Sequence, residues 1–88
     1  MDNNETINSR NLEETKVLDI KVYELDLSIR ACNVLRRNGY EMVRDLLKFS
    51  NKEEILSLKS FSIGCGEEVA NKLKALELPE NIWYEFII

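Results

Sequence analysis

Ser28-Ile29-Arg30-Ala31-Cys32-Asn33-Val34-Leu35-Arg36-Arg37-Asn38-Gly39 is the stretch whose reading decides the fold class. It opens on a serine, whose hydroxyl can accept from an orphan amide of a first helical turn. It closes on a glycine, which can turn the chain left-handed where a helix stops. Between these ends Ile29, Cys32 and Leu35 recur at helical spacing and mark a side for burial. Arg30, Asn33 and Arg37, at i, i+3 and i+7, fall together on another side, with no acid among them. Such a stripe is either a solvated helix face or a surface for an anionic partner.

Downstream, Val43, Leu46 and Leu47 give a short helix over about 41–48, and Ser50 with Glu53 reads as a capping box for a third, about 51–57, carrying Ile55, Leu56 and Leu58. Lys59 to Gly66 holds two glycines and no sustained period, so it reads as a loop. Val69, Leu73 and Leu76 then mark a fourth helix over about 66–77, with Glu67 and Glu68 in its first turn and a stop at Leu78-Pro79. Upstream, Val17 to Leu27 alternates like a strand but has no convincing partner strand, so an extended or turn-like lead-in is expected. The expected class is all-α, with no sheet beyond a stray bridge. Its expected core is Ile29, Cys32, Leu35, Leu46, Leu47, Ile55, Leu58, Val69, Leu73 and Leu76.

The 88 residues suit one domain, divided here into a polar tail over 1–15, a helical domain over 16–80 and an apolar tail over 81–88. That last stretch, Ile82-Trp83-Tyr84-Glu85-Phe86-Ile87-Ile88, either packs back on the domain or forms a patch for a partner. No apolar run is long enough to span a bilayer, and the acidic, polar start is unlike a secretory leader, so a cytoplasmic location without membrane contact is expected. With Cys32 and Cys65 as the only cysteines and no histidine, a structural zinc site and a Cys-His or Ser-His nucleophile are excluded; the cysteines read as free core thiols. No phosphate-binding or dinucleotide fingerprint occurs, so the expectation is a non-catalytic module with no cofactor and no metal. The net charge of −4 hides a division: seven acids and three bases over 1–26 (−4), seven bases and four acids over 27–65 (+3), five acids and two bases over 66–88 (−3). A basic middle between acidic flanks suits a local anionic partner.

Glu24-Leu25-Asp26-Leu27-Ser28-Ile29-Arg30 through Asn33, Leu35 and Arg37 resembles the opening of the C-terminal domain of the bacterial RNA polymerase α subunit, which typically reads E-L-x-L-S-x-R-x-x-N-x-L-x-R. Val43 to Leu47 resembles that family's T-V-x-D-L-L helix, Ser50 to Leu56 its S-x-x-E-L helix, and Glu67 to Leu76 its last helix; the resemblance covers about residues 18–79. It implies a compact bundle of four to five short helices with helix-hairpin-helix-like elements. It also implies binding of A·T-rich double-stranded DNA through the minor groove, and contacts with RNA polymerase, sigma factor and activators. On this resemblance Arg30 is the groove-inserting residue, Asn33 its hydrogen-bonding neighbour, Arg37 a source of phosphate attraction, and Glu24 and Asp26 the acids facing a protein partner. Narrow A·T-rich grooves concentrate negative potential, which suits an inserted guanidinium.

Two departures qualify these expectations. Where the family has R-N-x-G-x-K-S-L, this protein has Lys59-Ser60-Phe61-Ser62-Ile63-Gly64-Cys65-Gly66, so Gly64 stands at the family lysine and Cys65 at the serine. Gly64, Cys65 and Gly66 keep helix-start amides for a phosphate, but Glu67 and Glu68 would repel one; DNA affinity is expected to be below the family norm or absent. The protein also starts at its own Met1, which suggests a free-standing relative lacking the effective concentration that tethering provides. A protein-interaction module using Glu24, Asp26 or the aromatic tail is the alternative reading.

Overall fold

The computed structural model describes residues 16–88; the polar tail expected over 1–15 lies outside the described residues. A helical turn at residues 16–18 leads into a 3₁₀ turn, Val22–Glu24. Four α-helices follow: α1 Ile29–Arg37, α2 Val43–Leu46, α3 Lys52–Leu56 and α4 Ile63–Ala75. A second 3₁₀ turn, Ile82–Phe86, ends the order. Among the described residues β-pairing is confined to one isolated antiparallel bridge, Lys21 with Met42. Val22 donates there to the Glu41 carbonyl at 2.7 Å and Val43 to the Ile20 carbonyl at 2.9 Å, so the lead-in is stitched to the start of α2.

α1 begins and ends where its sequence says it should. The Ser28 Oγ accepts from the Ala31 amide at 3.1 Å. At the other end Gly39 takes φ +93°, and its amide reaches the Arg36 carbonyl at 3.0 Å while that of Tyr40 reaches Leu35 at 2.9 Å. This is the paired hydrogen bonding of a Schellman stop, which needs a left-handed residue just past the helix. α4 ends in the same way rather than at Leu78-Pro79. Leu78 donates back to Leu73 at 3.4 Å and Glu77 to Lys74 at 2.9 Å, with Glu77 itself at φ +62°.

Three local readings need correction. The cap of α3 is Asn51, whose Oδ1 accepts from the Glu54 amide at 2.8 Å, and Glu54 in turn accepts from Ser50 at 2.7 Å; the expected Ser50–Glu53 box is displaced by one residue. α4 starts at Ile63, not Gly66, because Ser62 Oγ accepts from the Cys65 amide at 3.2 Å and caps a turn containing both glycines. Gly66 is there for packing: a Cβ on it would fall on the Phe86 ring. Ile29, expected in the core, is 81% exposed. The buried side of α1 is Ala31, Val34 and Leu35, with Cys32 half-buried, so the helix is rotated away from the Ile29 side.

The core gathers Leu35, Val43, Leu46, Ile55, Val69, Ala70 and Leu73 around Trp83, and Val22 joins them from the lead-in. Leu47, Leu58 and Leu76 are only half-buried against it. Residues 81–88, set apart in the sequence as an apolar tail, supply the central ring: Trp83 is fully buried and Phe86 nearly so. Trp83 meets Phe49 edge-on at 5.8 Å and Phe61 at 5.9 Å, and its Nε1 donates to the Leu46 carbonyl at 2.6 Å. Asn81 caps this last turn, its Oδ1 accepting from the Trp83 amide at 3.0 Å.

Candidate nucleic-acid interface

Because Ala31, Val34 and Leu35 turn α1 inward, its opposite side is committed to solvent. Arg30, Asn33 and Arg37 all lie on that exposed side. No acid stands on α1, and none of these three residues enters an ion pair or side-chain hydrogen bond among the described residues. Arg36 and Arg37 also sit in the last turn, where their charge offsets the partial negative charge of the helix end.

The start of α1 is fixed against α4. Ser28 donates both its amide and its hydroxyl to the Glu68 carboxylate, the latter at 3.0 Å. Glu68 thereby satisfies an α1 entry amide and holds the turn that carries Arg30 beside the first half of α4. The Glu68 oxygens are directed at the α1 entry and Glu67 remains exposed, so both keep a negative charge beside the α4 start. Asp26, at φ +59°, lies just before this junction with its side chain 97% exposed and 3.7 Å from Lys72. Glu24 accepts from the Lys21 amide at 2.9 Å and is exposed, as are Tyr23 and Ile29 on either side of these acids in the sequence.

The three residues taken from the α4 entry part company. Gly64 is exposed in the first turn, without a left-handed φ, and a Cβ there would meet only the Ser62 Oγ at 3.8 Å. Cys65, expected at a phosphate-facing position, is a correction: its side chain is buried and its amide is already taken by Ser62. Gly66 is buried beneath Phe86. Only Gly64 of the three faces outward.

One basic residue escaped the sequence reading. Lys59, on the α3–α4 connection, lines a recess of about 230 Å³ together with Val34, Arg37, Asn38 and Ser60. Its one sequence signal is its position at the arginine of the family's R-N-x-G-x-K-S-L stretch. It reaches Arg37 because Asn38 Nδ2 donates both to the Val34 carbonyl at 2.7 Å and to the Lys59 carbonyl at 3.3 Å, tying the connection to the end of α1.

Among the described residues Asp45 is the one group with a displaced acidity. Partial burial works against its ionisation, but the Met42 and Glu41 amides and Lys48 hold its carboxyl below the usual carboxylate range. It caps α2 and lies outside the α1 face. No group of three or more His, Cys, Asp or Glu among the described residues is placed to hold a metal ion, and no described helix is long and apolar enough to cross a membrane.

Among known proteins, the family model for the C-terminal domain of the bacterial RNA polymerase alpha subunit matches residues 8–75. The protein is 43% identical over 70 residues to the DNA-directed RNA polymerase subunit alpha of Mesostigma viride, an alignment covering 80% of the present sequence and 21% of that subunit. It is 40% identical over 65 residues to the corresponding subunit of Porphyra purpurea (74% and 21%), and 39% identical over 66 residues to that of Clostridium acetobutylicum (75% and 21%). It spans about a fifth of the length of the curated relatives it matches. No solved structure matches.

Proposed function

Since the protein belongs to the family of C-terminal domains of the bacterial RNA polymerase α subunit, we propose that it is a non-catalytic, cytoplasmic transcription module that binds A·T-rich duplex DNA through the outer face of α1. In this role Arg30 enters the minor groove, where the negative potential of an A·T tract is greatest. Asn33 donates to and accepts from the base and sugar edges beside it. Arg37 attracts backbone phosphate, which positions the domain without reading sequence. The observation that carries the reading is the acid-free row on α1, unpaired among the described residues and clamped at its start by the Ser28–Glu68 contact.

The family lysine is replaced by Gly64, so binding is weak and strongly dependent on salt. Titration of A·T-rich and G·C-rich duplexes at several salt concentrations tests the assignment. Arg30→Ala abolishes the preference for the A·T-rich duplex, whereas Arg37→Ala weakens both duplexes alike. Gly64→Lys tightens both, since its backbone and surroundings admit a side chain. If neither the natural protein nor Gly64→Lys binds either duplex at low salt, DNA recognition by this domain is wrong.

A second reading has its own observation. Tyr23 is 63% and Ile29 81% exposed in the stretch that also carries exposed Glu24 and Asp26, a mixture of apolar area and negative charge suited to a basic protein surface on RNA polymerase or sigma factor. In that case Glu24→Lys and Asp26→Lys abolish capture of the partner, while Arg30→Ala leaves it intact.

A further inference from the structure

We propose that the recess between the last turn of α1 and the α3–α4 connection is a subsite for one backbone phosphate of a nucleic-acid strand, held jointly by Arg37 and Lys59. The inference rests on the DNA reading above and adds to it a residue and a place. Three observations converge. Arg37 and Lys59 both line the recess, and neither is in an ion pair among the described residues. An anion there would face two positive charges and no acid, because the remaining lining is Val34, Asn38 and Ser60.

The second observation is that the recess is braced. The two Asn38 hydrogen bonds hold the α1 end and the connection together before any ligand arrives. Pre-organisation of this kind lowers the cost of fixing two long side chains around one anion. The third lies in the backbone of the wall. Ser60 has φ +66°, in the turn that Phe61 closes by donating to Leu58 at 3.1 Å. A left-handed conformation is unfavourable for serine, and residues kept in such regions concentrate where a site requires them.

Offsetting the dipole of α1 explains Arg36 and Arg37. It does not explain Lys59, which belongs to another segment. The spacing also suits a strand. From Arg30 to Arg37 is about 10 Å along a helix axis, well inside one duplex turn of about 34 Å. A phosphate flanking a groove entered by Arg30 is therefore within reach of the recess.

A shared phosphate makes a prediction that two separate contacts do not. Each cation that neutralises its own phosphate contributes about 0.9 to the slope of log affinity against log salt. Two cations on one phosphate contribute about that much together. The experiment titrates an A·T-rich and a G·C-rich duplex with the natural protein, Lys59→Gln, Arg37→Gln and the double variant, with thermal melting to confirm that each is folded. Lys59→Gln is expected to weaken both duplexes equally, by several-fold at low salt. Each single variant flattens the slope by less than one unit and the double variant by about one.

Amide shifts on adding inorganic phosphate form the second arm. Asn38 and Ser60 are expected to move in the natural protein and to stay still in the double variant. Unchanged affinity and slope for Lys59→Gln, in a protein whose A·T preference still depends on Arg30, overturns the subsite and leaves the DNA reading standing. A double variant that loses about two units of slope also overturns it, since the two cations would then hold different phosphates. Absence of duplex binding by every variant, Arg30→Ala included, removes the DNA reading itself and the subsite with it.

Discussion

The outer face of α1 and the junction of α4 with the C-terminal 3₁₀ turn are held by opposite means. At the junction Trp83, Phe86, Phe61 and Phe49 interlock, Phe86 lies against Gly66, and the indole N–H is spent on the Leu46 carbonyl. On α1 the outward-facing Arg30, Asn33 and Arg37 make no side-chain hydrogen bond or ion pair among the described residues, and beyond its buried Ala31, Val34 and Leu35 the helix is tied by polar contacts at its two ends, Ser28 with Glu68 and Asn38 with Lys59. Stability is concentrated in the first region, and the proposed recognition lies in the second. A substitution at the junction should therefore test the fold, and one on the α1 face should test binding with the fold intact.

The largest effect is expected at Trp83. Trp83→Ala removes the central ring and leaves the Leu46 carbonyl without its donor, costing about 3–5 kcal/mol. Chemical denaturation measures it; a loss comparable to that of an exposed residue would show that the last turn does not belong to the core. Next comes Gly66→Ala. Its new methyl must displace the Phe86 ring, a cost of about 1–3 kcal/mol. If the midpoint of thermal unfolding holds steady, the close approach of α4 to Phe86 is wrong.

Asp45 lies outside both regions and calibrates them. Its carboxyl, which accepts from Met42 at 3.1 Å and Glu41 at 3.3 Å, should be worth about 0.5–2 kcal/mol as a cap, read as the difference between the natural protein and Asp45→Ala. The folded state lowers its pKa from the ordinary 3.8. Protonation is therefore harder folded than unfolded, so the contribution is complete above that ordinary value and disappears as pH falls through the lower, folded one. The Asp45→Ala variant should lose less stability between about pH 5 and about pH 2 than the natural protein. Equal losses would remove the carboxylate from the account of α2.

The smallest effects belong to the α1 face. Ile29→Ser and Arg30→Ala should each leave stability within about 0.5 kcal/mol. A cost of about 2 kcal/mol at Ile29 would mean that this side of α1 is packed after all, and the separation between the two regions would fail. The same Arg30→Ala protein then supplies the binding measurement with its folding already checked.

How much of this was readable beforehand depended on the range of the signals. Ser28 and Gly39 marked α1 to within a residue, because a cap and a stop act on the turn beside them. The Arg30, Asn33 and Arg37 row was visible for the same reason: helical spacing alone puts those residues on one side. The α4 start was misread because its two glycines argue against a helix locally, and they outweighed the Ser62 cap in front of them. Cys65 was misassigned with it, since a residue taken for loop turned out to be the third of a capped helix with its thiol inside.

The sequence by itself determined the helical class, the ends of α1 and the charge of its outer face, each by interactions spanning a turn or less. Only the tertiary structure decided which side of α1 is buried. Ile29 and Leu35 both satisfy the apolar period, and the choice went to the side that α4 and the Val22–Glu24 turn could cover. It also decided the role of Glu68, whose carboxylate meets Ser28 forty residues earlier, and the place of Lys59 beside Arg37. Periodicity fixes what a helix offers to its surroundings; which offers are taken up is set by neighbours brought close by burial of the shared core, and no local pattern records that.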